Sequence, residues 1–174
     1  MRKFLTIILI CLSTVPMLAQ GVNPYPALTA RYLYNFTLFT VWPENNFAEG
    51  VQDSIKIGIF GDTPVYKELK QLLEEEAEQS VNVCFFEDWN SAADCDIQVV
   101  YFSGPCYTNY GGTHFFDGKP VLTVAYPDTT NRVLPVIQLK EDKGKLAFEI
   151  NDEALDNTGL RLKYQIYQQE HSEE

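Results

Sequence analysis

The residues that could carry chemistry are few and far apart. His114 and His171 are the only histidines among 174 residues, and His171 sits in an acidic tail. His114, in the run Gly-Gly-Thr-His-Phe-Phe, is therefore the single general-base candidate, and a hydrolase built on it is the third of three functional readings. Ser103 precedes Gly104, but position 101 is Tyr where a nucleophile elbow requires Gly. Ile57-Gly58-Ile59-Phe60-Gly61 lies where dinucleotide folds bind phosphate, yet it lacks the Gly-x-Gly-x-x-Gly pattern, and no Gly-Lys-Ser/Thr occurs anywhere. Glu74, Glu75, Glu76 and Glu78 crowd one helix end, where neighbouring carboxylates point apart and read as a solvated acidic face. The sequon Asn35-Phe36-Thr37 falls within an apolar helix, so glycosylation is not expected there. No CxxC or His-containing ligand spacing is present, so neither metal nor cofactor is expected, and catalysis has no support.

Composition narrows the classes further. The chain has 13 Lys+Arg against 24 Asp+Glu, a net charge of −11, with 45% hydrophobic and 13% aromatic residues. That acidity argues against nucleic acid, whose phosphates are met by Lys and Arg. The hydrophobic and aromatic content argues against disorder. Arg2 and Lys3, the apolar run Phe4–Leu12 and small Ala19 have the layout of a secretory signal peptide over residues 1–19. The run is shorter than the about 20 apolar residues that span a bilayer, and Ile10 before Cys11 is unlike a lipid-attachment site. Losing Arg2 and Lys3 takes the net charge from −11 to −13. The rest, residues 20–174, has the length of one domain.

An exported chain can form disulfides, and Cys84, Cys95 and Cys106 remain after cleavage. Cys95 and Cys106 flank Ile97–Phe102, and a straight strand at about 3.3 Å per residue holds them too far apart for a bridge. Cys84 with Cys95, and Cys84 with Cys106, both stay open.

The elements that must position these residues follow from periodicity. Ala27 to Trp42 reads as a helix closed by Pro43, with Leu28, Tyr32, Phe36, Phe39 and Trp42 on one face. Leu33, Tyr34, Leu38 and Val41 make its reverse apolar as well, with Arg31 the only charge. Such a helix either lies deep between layers or offers its second face to another protein. Ser54–Phe60, Val81–Phe86, Ile97–Phe102 and Val121–Ala125 read as strands. A helix from Thr63 or Asp62 to about Gln79 follows the first of them, and Val136–Lys140 with Lys145–Ile150 forms a hairpin. A closing helix runs from Asp152 to about Gln168, weakest at Gly159. The expected fold is α/β, a largely parallel central sheet flanked by helices on both faces, with a C-terminal antiparallel hairpin and closing helix.

Four stretches, in order, resemble one family. Ala30-Arg31-Tyr32-Leu33-Tyr34-Asn35-Phe36 with Trp42-Pro43 is similar to the opening helix of the YfiR-like periplasmic proteins. Ile57–Asp62, Cys95–Ser103, and the set Pro120–Val124, Phe148–Asn151 and Gly159-Leu160 resemble that family's later strands and turns. The chain departs from the family at Leu134-Pro135, at Lys163–Tyr167, and at Gly58, which stands near where family members carry a first-strand cysteine. The resemblance implies a secreted, non-enzymatic regulator of an inner-membrane signalling protein, a diguanylate cyclase or a histidine kinase sensor domain.

Two functions from different classes are therefore expected. The first is a periplasmic regulator acting by protein contact through Tyr32, Tyr34, Leu38 and Trp42, since large aromatics dominate interfaces, with a homodimer as a further expectation. The alternative is a periplasmic small-molecule binder with a cleft at the strand C-termini, lined by Gly61, Asp62, Ser103, Gly104, Tyr107 and Tyr110.

Overall fold

The computed structural model describes residues 23–43, 54–76, 80–87, 92, 95–103, 116, 118–126 and 135–171. The leader at 1–19, Gly104, Cys106, Tyr107, Tyr110 and His114 lie outside the described residues. The chain opens with helix α1 (Pro26–Phe39) and a two-residue strand β1 (Thr40–Val41), followed by β2 (Ile55–Phe60), α2 (Thr63–Glu75) and β3 (Val81–Phe86). Strands β4 (Val99–Phe102), β5 (Leu122–Ala125), β6 (Ile137–Asp142) and β7 (Lys145–Ile150) come next. Helix α3 (Asp152–Asp156), strand β8 (Arg161–Leu162) and helix α4 (Tyr164–His171) close it.

Six strands form one sheet in the order β3-β2-β4-β5-β6-β7, parallel throughout except for the antiparallel β6–β7 pair. The expected α/β class, parallel sheet and terminal hairpin are all present. Strand period two then makes two cores. Ile57, Ile59, Val99, Tyr101, Leu122, Val124, Ile137 and Phe148 point one way and meet Leu33, Phe36, Leu69, Leu155 and Ile166 of the four helices. Phe60, Phe86, Val100, Phe102 and Ala125 point the other way, beneath Ala92, Ile97, Phe116 and Val121. On that second side Phe86, Phe60 and Phe102 occupy one register across three strands, each neighbouring pair stacked at 5.1 Å between centroids. Gly58 fits closely there: a Cβ would lie 3.1 Å from both Ile97 and Phe86 side-chain carbons, which would have to give way. The hairpin turns through Lys143 and Gly144, both with positive φ, as a two-residue turn between paired strands demands.

Three sequence expectations are corrected. Helix α1 stops at Phe39, not Trp42: Thr40 turns extended, its hydroxyl donates to the Phe36 carbonyl at 2.7 Å, and Thr40 and Val41 pair with Leu162 and Arg161. β-Branched residues favour that extended state. The buried face of α1 is Thr29, Ala30, Leu33, Phe36 and Thr37, whereas Leu28, expected inside, is 38% exposed and Leu33, expected on the reverse, is fully buried. A helix apolar nearly all round gives periodicity nothing to phase against, and small Thr29, Ala30 and Thr37 allow close approach. The closing helix is split, because Gly159 takes φ +72° and Thr158 accepts from Leu160 N–H at 3.1 Å, turning the chain into β8. In addition α2 ends at Glu75, short of Gln79.

A buried polar network ties the helices to the sheet. Asp62 caps α2, its Oδ1 accepting from Val65 N–H at 3.1 Å, and its Oδ2 accepts from the Tyr101 hydroxyl at 3.2 Å. Asn23 Nδ2 donates to the same hydroxyl at 3.1 Å and to Thr29 Oγ1 of α1 at 2.8 Å. Tyr101 is fully buried and Asp62 only 6% exposed, so each bond stands in for lost water. Burial pushes the Asp62 carboxyl up, opposed by the hydrogen bonds from Val65 and Tyr101. Tyr101→Phe strips the network of its hub, and the expected loss of about 1–3 kcal/mol is read by urea unfolding. Because the folded carboxyl binds its proton more tightly than the unfolded one, Asp62's contribution is full below the unfolded carboxylate pKa and is lost as pH rises through the raised folded value. Wild-type stability relative to Asp62→Asn should therefore fall from acid to neutral pH, and urea midpoints of both proteins across that range give the test.

Candidate interaction surface

Of the four residues expected to meet a partner, Tyr32, Tyr34 and Leu38 lie on helix α1 and Trp42 follows β1. The start of α1 is set by Pro26 in the first turn and by Asn23, whose Oδ1 accepts from Tyr25 N–H at 2.8 Å. Tyr32 is half-buried: its ring packs edge-on to Phe148 at 5.4 Å, and its hydroxyl donates to the Leu146 carbonyl at 3.2 Å. Tyr34 is also half-buried against the core. Trp42 packs there too, with its indole Nε1 buried and without an acceptor among the described residues. Leu38 stands out at 44% exposure.

Two residues missed by the sequence reading join Leu38. Val41 is 46% exposed and Tyr164 72% exposed. The chain brings them together because Lys163, just before α4, donates its backbone N–H to the Phe39 carbonyl at 2.8 Å and its Nζ to the Leu38 carbonyl at 2.7 Å. Cations suit the carbonyl end of a helix. The β1–β8 ladder places Val41 beside Arg161. Among the described residues four large apolar side chains are exposed, and three of them, Leu38, Val41 and Tyr164, lie on the segments that these bonds join, with Leu28 the fourth. Arg31, Arg161 and Lys163 are its exposed charges, and residues 26–43 and 158–169 contain no acid. Tyr164 escaped notice because a helix drawn unbroken from Asp152 assigns its face wrongly.

Of the residues expected to line a cleft, Gly61, Asp62 and Ser103 are among the described residues. Gly61 takes φ +71° in the turn after β2. Asp62 has both carboxylate oxygens engaged inside the fold, and Ser103 is 5% exposed. Nearby, Tyr25, Tyr126 and Glu141 form a cluster in which burial, then the Glu141 carboxylate, pushes both phenols up. Cys84 is half-buried on β3 and Cys95 exposed before β4, and both are free thiols. Burial pushes the Cys84 thiol up, neighbouring Cys95 adds to this and Lys56 opposes it.

No helix among the described residues is long and apolar enough to cross a membrane. No curated protein sequence matches the chain. A family model described as YfiR/HmsC-like matches residues 26–168, from the first residue of α1 into α4. That span takes in the whole six-stranded sheet, the Asp62–Tyr101 hydrogen bond and the apolar corner, and the chain belongs to the YfiR/HmsC-like family.

Proposed function

We propose that this protein is an exported, non-enzymatic signalling regulator. It docks on the periplasmic part of an inner-membrane signalling protein, a diguanylate cyclase or a histidine kinase sensor domain, and inhibits or tunes it. Membership of the YfiR/HmsC-like family supports the class. The convergence of Leu38, Val41 and Tyr164 into one exposed apolar corner carries the reading for this chain. Tyr32, Tyr34 and Trp42 are partly buried against the core, so less of each is open to a partner. Arg31, Arg161 and Lys163 flank it, in a chain whose net charge is −11. That segregation suits a partner surface with an acidic rim.

Leu38→Asp places a charge on this corner without entering the core. Its melting temperature should match wild type, while affinity for the partner falls about tenfold or more. Complementing a deletion strain tests the cyclase form directly: wild type should lower cellular cyclic di-GMP, and Leu38→Asp should not. Equal repression by both proteins removes the corner from the interface, and no change with either removes the cyclase.

A further inference from the structure

We propose that Tyr25, Tyr126 and Glu141 form a binding site for a small organic ammonium ion, at the end of α1 opposite to the Leu38 corner. Tyr126 directly follows β5, and its N–H donates to the Phe102 carbonyl at 3.2 Å, so it continues that strand. Glu141 lies on β6, the neighbour of β5. Ile137 and Leu139 of β6 belong to the helix-side core, and a strand period of two gives Glu141 the same face. Tyr25 and Tyr126 pack against that core as well.

Helix α1 brings Tyr25 to this place. Leu146, opposite Glu141 in the hairpin, accepts from the Tyr32 hydroxyl, which ties that side of α1 to the hairpin. Tyr25 stands two helical turns before Tyr32 and falls on the same side. Its hydroxyl donates to the Glu141 carboxylate, and Tyr126 is near enough to feel the charge of both. Behind Tyr126 lies Tyr101, bonded to Asp62.

The site carries one sign of charge. Among the described residues no Lys or Arg pairs with Glu141. Lys140 and Lys145 of the same hairpin alternate to the other face, where Lys140 bonds Glu149 at 3.3 Å and Lys145 stands opposite Asp142. Burial and the Glu141 carboxylate keep both phenols protonated, with no cation opposing them among the described residues. Neutral phenol rings present negative faces, and the carboxylate adds a full charge beside them. An ammonium group satisfies both: it pairs with the carboxylate while its polarised carbons lie on the rings. An anion would be repelled by Glu141, and an uncharged apolar molecule would strip water from the carboxylate without replacing it. Both rings are half-buried, so packing holds them in place and little ordering is lost on binding. None of these residues belongs to the proposed partner surface, so the two readings stand or fall separately.

Choline chloride and ethanolamine hydrochloride, titrated into the purified protein by calorimetry and by amide chemical shifts, provide the test. At least one should bind saturably with a dissociation constant on the order of 1 mM or lower. Dimethylbutanol, the uncharged carbon isostere of choline, should not bind. Glu141→Gln alters an exposed side chain and keeps an acceptor for Tyr25, so its melting temperature should match wild type while cation affinity falls about tenfold or more. Tyr25→Leu should weaken binding about threefold or more, and Tyr25→Phe, which keeps the ring, should restore it. Absence of saturable binding by either cation overturns the proposal. Equal binding of dimethylbutanol, unchanged affinity in Glu141→Gln, or shifts that cluster at Leu38, Val41 and Tyr164 instead of Tyr126 overturn it as well.

Discussion

The fold depends on a phenol carried into the middle of the sheet. Tyr101 lies on β4, a central strand, and is fully buried among aliphatic side chains. A hydroxyl in that position must be bonded, and its two partners come from different parts of the chain: Asp62 at the start of α2 and Asn23 before α1. Asn23 passes the link to Thr29 within α1. One buried oxygen thus sets where both helices begin relative to the strands, which hydrophobic packing, being non-directional, does not specify.

The opposite face of the sheet is organised by shape rather than by hydrogen bonds. Three in-register phenylalanines stack from β3 through β2 to β4, and Phe116 adds a fourth ring tilted against Phe102 at 6.3 Å. Gly58 leaves the space that Ile97 and Phe86 fill. A larger residue at Gly58 would press on both. Cys84, the register partner of Gly58 on β3, carries a thiol on the same side of the sheet.

The two cores leave part of α1 uncovered. The helix-side core takes Leu33 and Phe36 but only part of Tyr32, Tyr34 and Trp42, and none of the exposed half of Leu38. Where α1 ends, a two-residue ladder and the Lys163 ammonium hold Val41 and Tyr164 beside it. A short ladder of this kind contributes little to stability by itself. Its effect is positional, holding the segments that carry Leu38, Val41 and Tyr164 next to one another. The carboxylate of Asp62, by contrast, is spent on structure, which turns attention from the strand ends to the helix corner.

Much of this was legible in the linear chain. Alternating β-branched runs marked all six strands of the main sheet, since a period of two needs only neighbours in sequence. The Gly61-Asp62 turn marked the cap of α2, and Lys143-Gly144 the hairpin. Leu38 stood out as an apolar residue on the reverse of α1. The phase of α1 did not follow, because its apolar residues surround the axis and only packing against the sheet chose Leu33 over Leu28. Nor did the break at Gly159, because Thr40 and Val41, more than a hundred residues away, supply the strand that β8 pairs with. The sequence by itself determined the elements and their order through local periodicity and turn chemistry. Only the tertiary structure decided that the segment carrying Tyr164 lies beside the one carrying Leu38 and Val41, and that Tyr101 links two helices, because those contacts join residues far apart along the chain.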